Sequence, residues 1–389
     1  MDVLVVGAGP TGLLAAREAA SRGAVVQVLE EHQEIGLPNH CAGLLSVRGL
    51  ERIGVVPEQR FVQNEIYGAN FHSPDGLSFT IRSRRVTAYV VDRSVFDRSL
   101  AVAAARAGAR IRLGFVARDL FVDGESRIIS DGGGEKFGGR VVIHAEGVAS
   151  GLSARMGMSL VDSRNVLSAV QFEVSRVNED PGLVDIYVGQ SYAPGFFAWV
   201  IPTGVDSARV GLACRGGNAY EALRSIVRVK LGDPQVLGVR AGRVITCGPI
   251  SKTVAPGLIA VGDAAGQAKP TTGGGVITGG VCAKIAGRVA AEAAAKNDVS
   301  EGALGSYETE WRGVLGSEFA AMSRARRVFN RLTDRTIDKL FRVVSEEELY
   351  REVEETGDMD FQGLVLHRLA RNPRVVGVLP SVLRDLIFH

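Results

Sequence analysis

The chain has 389 residues, 46% of them hydrophobic, and 45 Lys and Arg against 43 Asp and Glu give a formal net charge of +2. That length and apolar content suit two or three interleaved domains and exclude a disordered or fibrous protein, and the near balance of charge gives no field that would draw nucleic acid or an acidic partner. Cys41, Cys214, Cys247 and Cys282 are scattered without metal-ligand spacing, no apolar run approaches the ~20 residues of a spanning helix, and the chain opens on a strand-like run without a signal peptide, so a cytoplasmic protein is expected.

Residues 2–6 read as a buried parallel strand. They are followed at once by Gly7, Gly9 and Gly12 in Gly-x-Gly-x-x-Gly spacing, with Pro10 and Thr11 between the last two, and by an alanine-rich helix over 13–22. Gly7 permits the tight turn, Gly9 lets a pyrophosphate approach the backbone, and Gly12 allows close helix packing. The helix start supplies amide donors and the positive end of its dipole. A second strand over 25–29 ends in Glu30, placed to accept from both adenosine ribose hydroxyls and to repel a 2′-phosphate, which favours FAD or NAD over NADP.

More than two hundred residues downstream a hydrophobic strand over 258–261 runs into Gly262 and Asp263, whose carboxylate can accept from ribityl hydroxyls. The segment after it, with Gly273, Gly274, Gly275 and Val276, starts a helix whose amides would face a flavin pyrimidine, and this favours FAD over NAD. No second Gly-rich nucleotide motif follows, so the electron donor stays open among NADPH, ferredoxin and another carrier.

Between these segments Phe71, Phe79, Phe172, Tyr187, Phe196, Phe197 and Trp199 lie in alternating, strand-like stretches. They are expected to form an antiparallel sheet over the isoalloxazine and to line a site for a greasy ligand, held by apolar burial at ~25 cal/mol per Å2. The last ninety residues read as helical and amphipathic, with arginines spaced among the apolar positions, a pattern compatible with resting on anionic lipid or with packing on the core. The fold class is therefore α/β: a Rossmann-like FAD-binding domain (1–60, 92–165 and 246–298), an interleaved antiparallel β-sheet substrate domain (61–91 and 166–245) and a C-terminal helical region (299–389).

Both glycine motifs, together with Arg93 through Asp97 and Glu146-Gly147, resemble the para-hydroxybenzoate hydroxylase-like flavoproteins. The resemblance implies that Arg93 lies near the FAD diphosphate and that Val116 belongs to the cofactor site. Glu146 stands where that group has Asp. A narrower likeness, over roughly residues 1 to 300, is to the geranylgeranyl reductase family. It rests on Pro38-Asn-His40-Cys41-Ala42-Gly43 and on Pro194-Gly-Phe-Phe197-Ala-Trp199-Val-Ile-Pro202. The first segment implies that Cys41, Ala42 and Gly43 touch the flavin; the second implies that Phe197, Trp199 and Pro202 touch the substrate, with Phe197 and Ile201 replacing the family's tyrosine and phenylalanine.

The family's chemistry is saturation of isoprenoid C=C bonds in geranylgeranyl chains, and archaeal members imply digeranylgeranylglycerophospholipids as substrates. An unconjugated double bond cannot accept hydride first, so protonation leads or accompanies hydride transfer from N5 of reduced FAD. Cys41 is the expected proton donor, since a free thiol with a pKa of ~8.5 is protonated at neutral pH, and His40 is the alternative donor or relay. The competing readings are a flavin monooxygenase acting on aromatics and a non-catalytic prenyl-binding protein of the same fold. The Pro194–Pro202 stretch also resembles the flavin-dependent halogenases, whose lysine has no counterpart here, because no lysine precedes Lys136.

Overall fold

A computed structural model of the chain describes residues 1–149, 151–155, 158–232 and 234–388. Short runs of β-branched residues assemble a six-stranded sheet in the order Val254–Ala255, Leu258–Ala260, Val141–His144, Val3–Val6, Val26–Leu29, Arg110–Arg112. Every neighbour pair is parallel except the first. All residues of the three central strands are buried, as a parallel sheet covered on both faces requires.

The two faces divide by alternation. Val3 and Val5 pack beneath the helices Pro10–Ser21, Arg93–Arg106 and Val276–Ala295. Leu4, Val6 and Val142 pack with Phe115, Leu120 and Ile129 over a small sheet of Asp119–Asp123, Ser126–Ser130 and Lys136–Gly139. Strand order switches sides about Val3–Val6, with Val26–Leu29 on one side and Val141–His144 on the other, so the crevice for a ligand opens at the carboxyl end of the first strand.

The second layer is a seven-stranded sheet in the order Gln235–Ile245, Val166–Ser175, Ser207–Cys214, Phe197–Pro202, Leu183–Val188, Gly68–His72, Ser78–Arg82. It is antiparallel apart from the Leu183–Val188 and Gly68–His72 pair. One face is covered by the helix Ala219–Leu231. The other meets a three-stranded sheet of Leu44–Ser46, Ala88–Val91 and Val62–Ile66 and the loop that carries Cys41.

This division corrects the expected aromatic lining. Phe172 and Tyr187 point to the helix-covered face. Phe71 and Phe79 stack at 5.2 Å and pack with Phe341 of the C-terminal region. A period of two fixes which residues share a face but not which face meets the flavin, and only Phe196, Phe197 and Trp199 of the seven lie toward Ala42.

The C-terminal region is helical, led by the 29-residue helix Glu301–Phe329, which buries Leu304, Tyr307, Trp311, Leu315, Phe319 and Met322 against the nucleotide layer. Among the described residues no helix is long and apolar enough to cross a membrane.

Candidate active site

The turn after the first strand is shaped for a pyrophosphate. A Cβ on Gly12 would stand 1.9 Å from the Gly7 carbonyl oxygen, so the helix Pro10–Ser21 can sit this close to its own turn only with glycine there. A Cβ on Gly9 would meet nothing within 4 Å, which leaves open space where a ligand approaches. Gly9 caps the helix without a side-chain bond and Pro10 occupies its first turn, so the amide end faces outward with no competing acceptor. Glu30, 8% exposed, accepts from Ala8 N at 2.6 Å and from His32 N at 3.0 Å, which fixes the carboxylate at the tip of the second strand. Val116 is exposed, one residue beyond Phe115, whose amide donates to Glu30 O.

Thr11 links this turn to the second glycine segment. Its side chain lies 2.9 Å from the Cβ positions of both Gly262 and Gly279, locking the first helix against the strand end and against Val276–Ala295. A Cβ on Gly275 would stand 2.5 Å from Asp263 Oδ1, so this carboxylate leans on the amino end of that helix. Burial pushes Asp263 upward, and the charge of Arg93 opposes the shift. Gly273 and Gly274 fold back over Lys269, with Lys269 N donating to Gly274 O at 3.0 Å and Gly273 N to Lys269 O at 2.7 Å.

Arg93 begins the helix Arg93–Arg106, which Asp92 caps by accepting from Ser94 N and Val95 N. Its guanidinium closes bidentately on Asp97, at 2.8 and 2.9 Å, while Cys41 and Asp263 both lie within range of its charge. The largely buried fork therefore serves Asp97 and also reaches Cys41 by a side-chain hydrogen bond, and its field falls on Asp263. Glu146 is tied to the fully buried His144, 2.6 Å from Nε2.

Cys41 is half-buried. Its amide donates to Asn39 Oδ1 at 3.1 Å, and its Sγ lies 3.4 Å from Gly43 N. His40 is exposed and rests its Cβ against Gly242 of the outer strand. The loop is gripped from the large sheet by two arginines that sequence reasoning missed. Arg209 Nη1 donates to Ala42 O at 2.8 Å and to Val91 O at 3.0 Å, and Arg240 Nη1 donates to Asn39 O at 2.9 Å. Glu173 Oε1 stands between them, 3.7 Å from Arg209 Nε and 3.1 Å from Arg240 Nη2. Burial lowers Arg209 from the usual arginine range, with Glu173 opposing. The signal that could have found Arg209 is a charge inside the otherwise apolar run Ser207–Cys214.

Beside this loop, Ala42 and Leu44 share one apolar cluster with Phe196, Phe197, Trp199, Ile201 and Ile66. Phe196 stacks on Phe197 at 4.2 Å, and Phe197 meets Trp199 edge-on at 6.0 Å. Trp199 Nε1 donates to Gln171 Oε1 at 3.3 Å. Pro202 is buried at the end of the same strand, its carbonyl accepting from Asn64 Nδ2 at 2.9 Å.

A second element missed in the sequence is a strap from the C-terminal region. Lys269 Nζ donates to Asp360 Oδ1 at 2.7 Å and to Met359 O at 2.9 Å, Ser46 Oγ donates to Asp360 Oδ2, and Thr271 Oγ1 donates to Gln362 Oε1 at 2.6 Å. Met359 reaches the apolar cluster of Trp199.

Tested against FAD, these residues fit: an open glycine turn, a carboxylate at the tip of the second strand, a strand-end aspartate and a glycine-started helix meet at the carboxyl ends of the parallel strands, the crevice of this fold, with a thiol and an apolar wall close to Arg93. That fold and that crevice define a flavoprotein oxidoreductase. Residues 165–235 match the geranylgeranyl reductase catalytic domain and residues 5–40 an NAD(P)-binding Rossmann-like domain. The chain is 33% identical to digeranylgeranylglycerophospholipid reductase 2 of Methanopyrus kandleri, over 90% of this chain and 92% of the relative. The solved structure of a geranylgeranyl bacteriochlorophyll reductase-like protein from Thermoplasma acidophilum superposes with a TM-score of 0.87, covering 98% of each chain at 28% identity. The chain belongs to the geranylgeranyl reductase family. A flavin-dependent brominase, at 18% identity and a TM-score of 0.70 over 95% of this chain and 97% of its own, shares the fold alone.

Proposed function

We propose that the protein saturates C=C bonds in the geranylgeranyl chains of digeranylgeranylglycerophospholipids. The observation that carries this is the single apolar cluster in which Ala42, next to Cys41, meets Phe197 and Trp199. A hydrocarbon chain laid on that wall comes beside the thiol, and the wall offers it apolar contact and no demand for hydrogen bonds. Bound FAD supplies the hydride. The chain's residues do the rest: Trp199 and Phe197 hold the alkene and exclude water, and Cys41 holds the proton near the carbon that receives it. Arg209 and Arg240 keep the thiol loop in register with the large sheet. His40, exposed against Gly242, suits a relay between solvent and Cys41 more than direct donation. Arg93 serves by its field on the cofactor side rather than by a free fork.

The C-terminal surface supports peripheral contact with an anionic bilayer, from which such a lipid would be drawn. Leu379, Leu383 and Ile387 are exposed, as are Arg371, Arg374 and Arg384 in the same stretch. Sedimentation with anionic but not neutral vesicles checks this.

The deciding experiment is anaerobic. The flavin-loaded protein is reduced chemically and given a geranylgeranyl lipid, and mass spectrometry asks whether the lipid gains hydrogen in steps of two. Oxygen incorporated into an added aromatic under air and NADPH, with no such gain, would make the protein a monooxygenase instead. Repeating the assay with NADPH or reduced ferredoxin in place of the chemical reductant identifies the donor.

A further inference from the structure

Arg326, on the long helix Glu301–Phe329, is 5% exposed and has no carboxylate partner among the described residues. Its Nη2 donates to Gly195 O, its Cζ lies 4.6 Å from the centre of the Phe196 ring, and its Nε is buried without a partner. One turn further along, Asn330 Oδ1 is also buried and unpartnered. The charge that acts on Arg326 is a second cation, Arg215. Burial, with Arg215 adding to it, draws Arg326 down to about 10, which leaves it cationic at neutral pH.

Arg215 is exposed. Its Nη2 donates to Asn165 Oδ1 at 3.3 Å, its amide donates to Pro194 O at 2.7 Å, and its side chain flanks Gly195. Two guanidinium groups thus converge on the loop that opens the strand Phe197–Pro202, one buried and one at the surface. An aromatic face and a carbonyl dipole compensate Arg326 in part, but neither carries a charge, and a buried cation beside a like charge is a costly arrangement without an anion.

The position adjoins the apolar wall proposed to hold the prenyl chain. Phe196 stacks on Phe197 on the way to Trp199, and its Cζ lies 3.6 Å from the Cβ position of Gly273 on the flavin side. A phosphate has the charge and the oxygen geometry that guanidinium forks recognise, and a lipid gripped there would run its chains past Phe196 toward Trp199.

We propose that Arg326 and Arg215 form a phosphate-binding site at the mouth of the cleft, which holds the headgroup phosphate of the isoprenoid lipid. The headgroup assignment rests on the cleft being a prenyl site.

The test uses the full-length, flavin-loaded protein, with Arg326→Met, which removes the buried charge at similar volume, and the surface variant Arg215→Ala. Inorganic phosphate is expected to raise the wild-type Tm and to compete with a digeranylgeranylglycerol phosphate, and both effects disappear in Arg326→Met. The ratio of kcat/KM for the phosphorylated lipid to that for uncharged digeranylgeranylglycerol falls at least tenfold in Arg326→Met and severalfold in Arg215→Ala. An unchanged ratio overturns the headgroup assignment even if free phosphate binds. No phosphate effect on Tm together with an unchanged ratio overturns the site. If the wild type saturates neither lipid, the prenyl reading fails instead, the headgroup assignment falls with it, and the Tm response alone decides whether an anion site exists.

Discussion

Glu173 and Arg209 face each other in the register of two neighbouring strands, and the Glu173 carboxylate also reaches Arg240 on the strand at its other side. One side chain of the large sheet thereby orients both arginines that hold the Cys41 loop. Glu173→Gln keeps the shape and removes the charge. It is expected to destabilise by about 1 kcal/mol, the scale of a partly exposed ion-pair network, and to lower kcat by roughly tenfold while FAD stays bound. Flavin absorbance, urea unfolding and steady-state turnover separate the three effects; unchanged kcat would detach the clamp from the chemistry.

Gly9 and Gly12 should fail differently. Gly9→Val projects into open space, so the protein is purified without FAD but folds with the melting curve of FAD-free wild type. Gly12→Ala collides with the Gly7 carbonyl, so both Tm and flavin content fall, with a loss of ~3 kcal/mol or more from forced backbone movement. Circular dichroism and the flavin absorbance ratio distinguish them.

Cys41→Ala should retain FAD and lose turnover by at least ~10²-fold, the usual worth of a positioned proton donor. Full turnover by this variant would remove the thiol from that role and leave it as packing against Ala42.

Lys269→Met strands Asp360 as a buried charge, and a loss of ~3–5 kcal/mol is expected. The double variant Lys269→Met/Asp360→Leu should recover more than half of that in urea unfolding, because it removes the stranded charge as well as its partner.

Asp358 gives the strap a pH dependence. Burial raises its carboxyl, but Arg52 and the amides of Asp360 and Phe361 outweigh burial and hold it below the ordinary carboxylate value. Its contribution is therefore present above about pH 4 and is lost as the pH falls through the lower folded value. Asp358→Asn should lower Tm at pH 7 and converge with the wild type only as the pH falls below the depressed folded value.

The nucleotide turn was legible because its geometry is local: strand, glycines and helix follow one another within twenty-two residues, and Glu30 sits at the end of the next strand. Asp263 and Gly275 were legible for the same reason. The clamp was not, since Glu173, Arg209 and Arg240 meet the Cys41 loop only through strand pairing across more than one hundred residues. Phe71 and Phe79 were assigned to the flavin face because alternation marks a face without saying what covers it, and the cover proved to be C-terminal helix. Asp360 carried no local signature at all; its partner lies 91 residues earlier in the chain.

That separation bears on how the protein is made. Lys269 and Thr271 belong to the loop just before the helix Val276–Ala295, yet the groups that complete their hydrogen bonding, Asp360 and Gln362, are each synthesised 91 residues later. A nascent chain stalled before residue 358 therefore holds this loop without the strap that completes its hydrogen bonds.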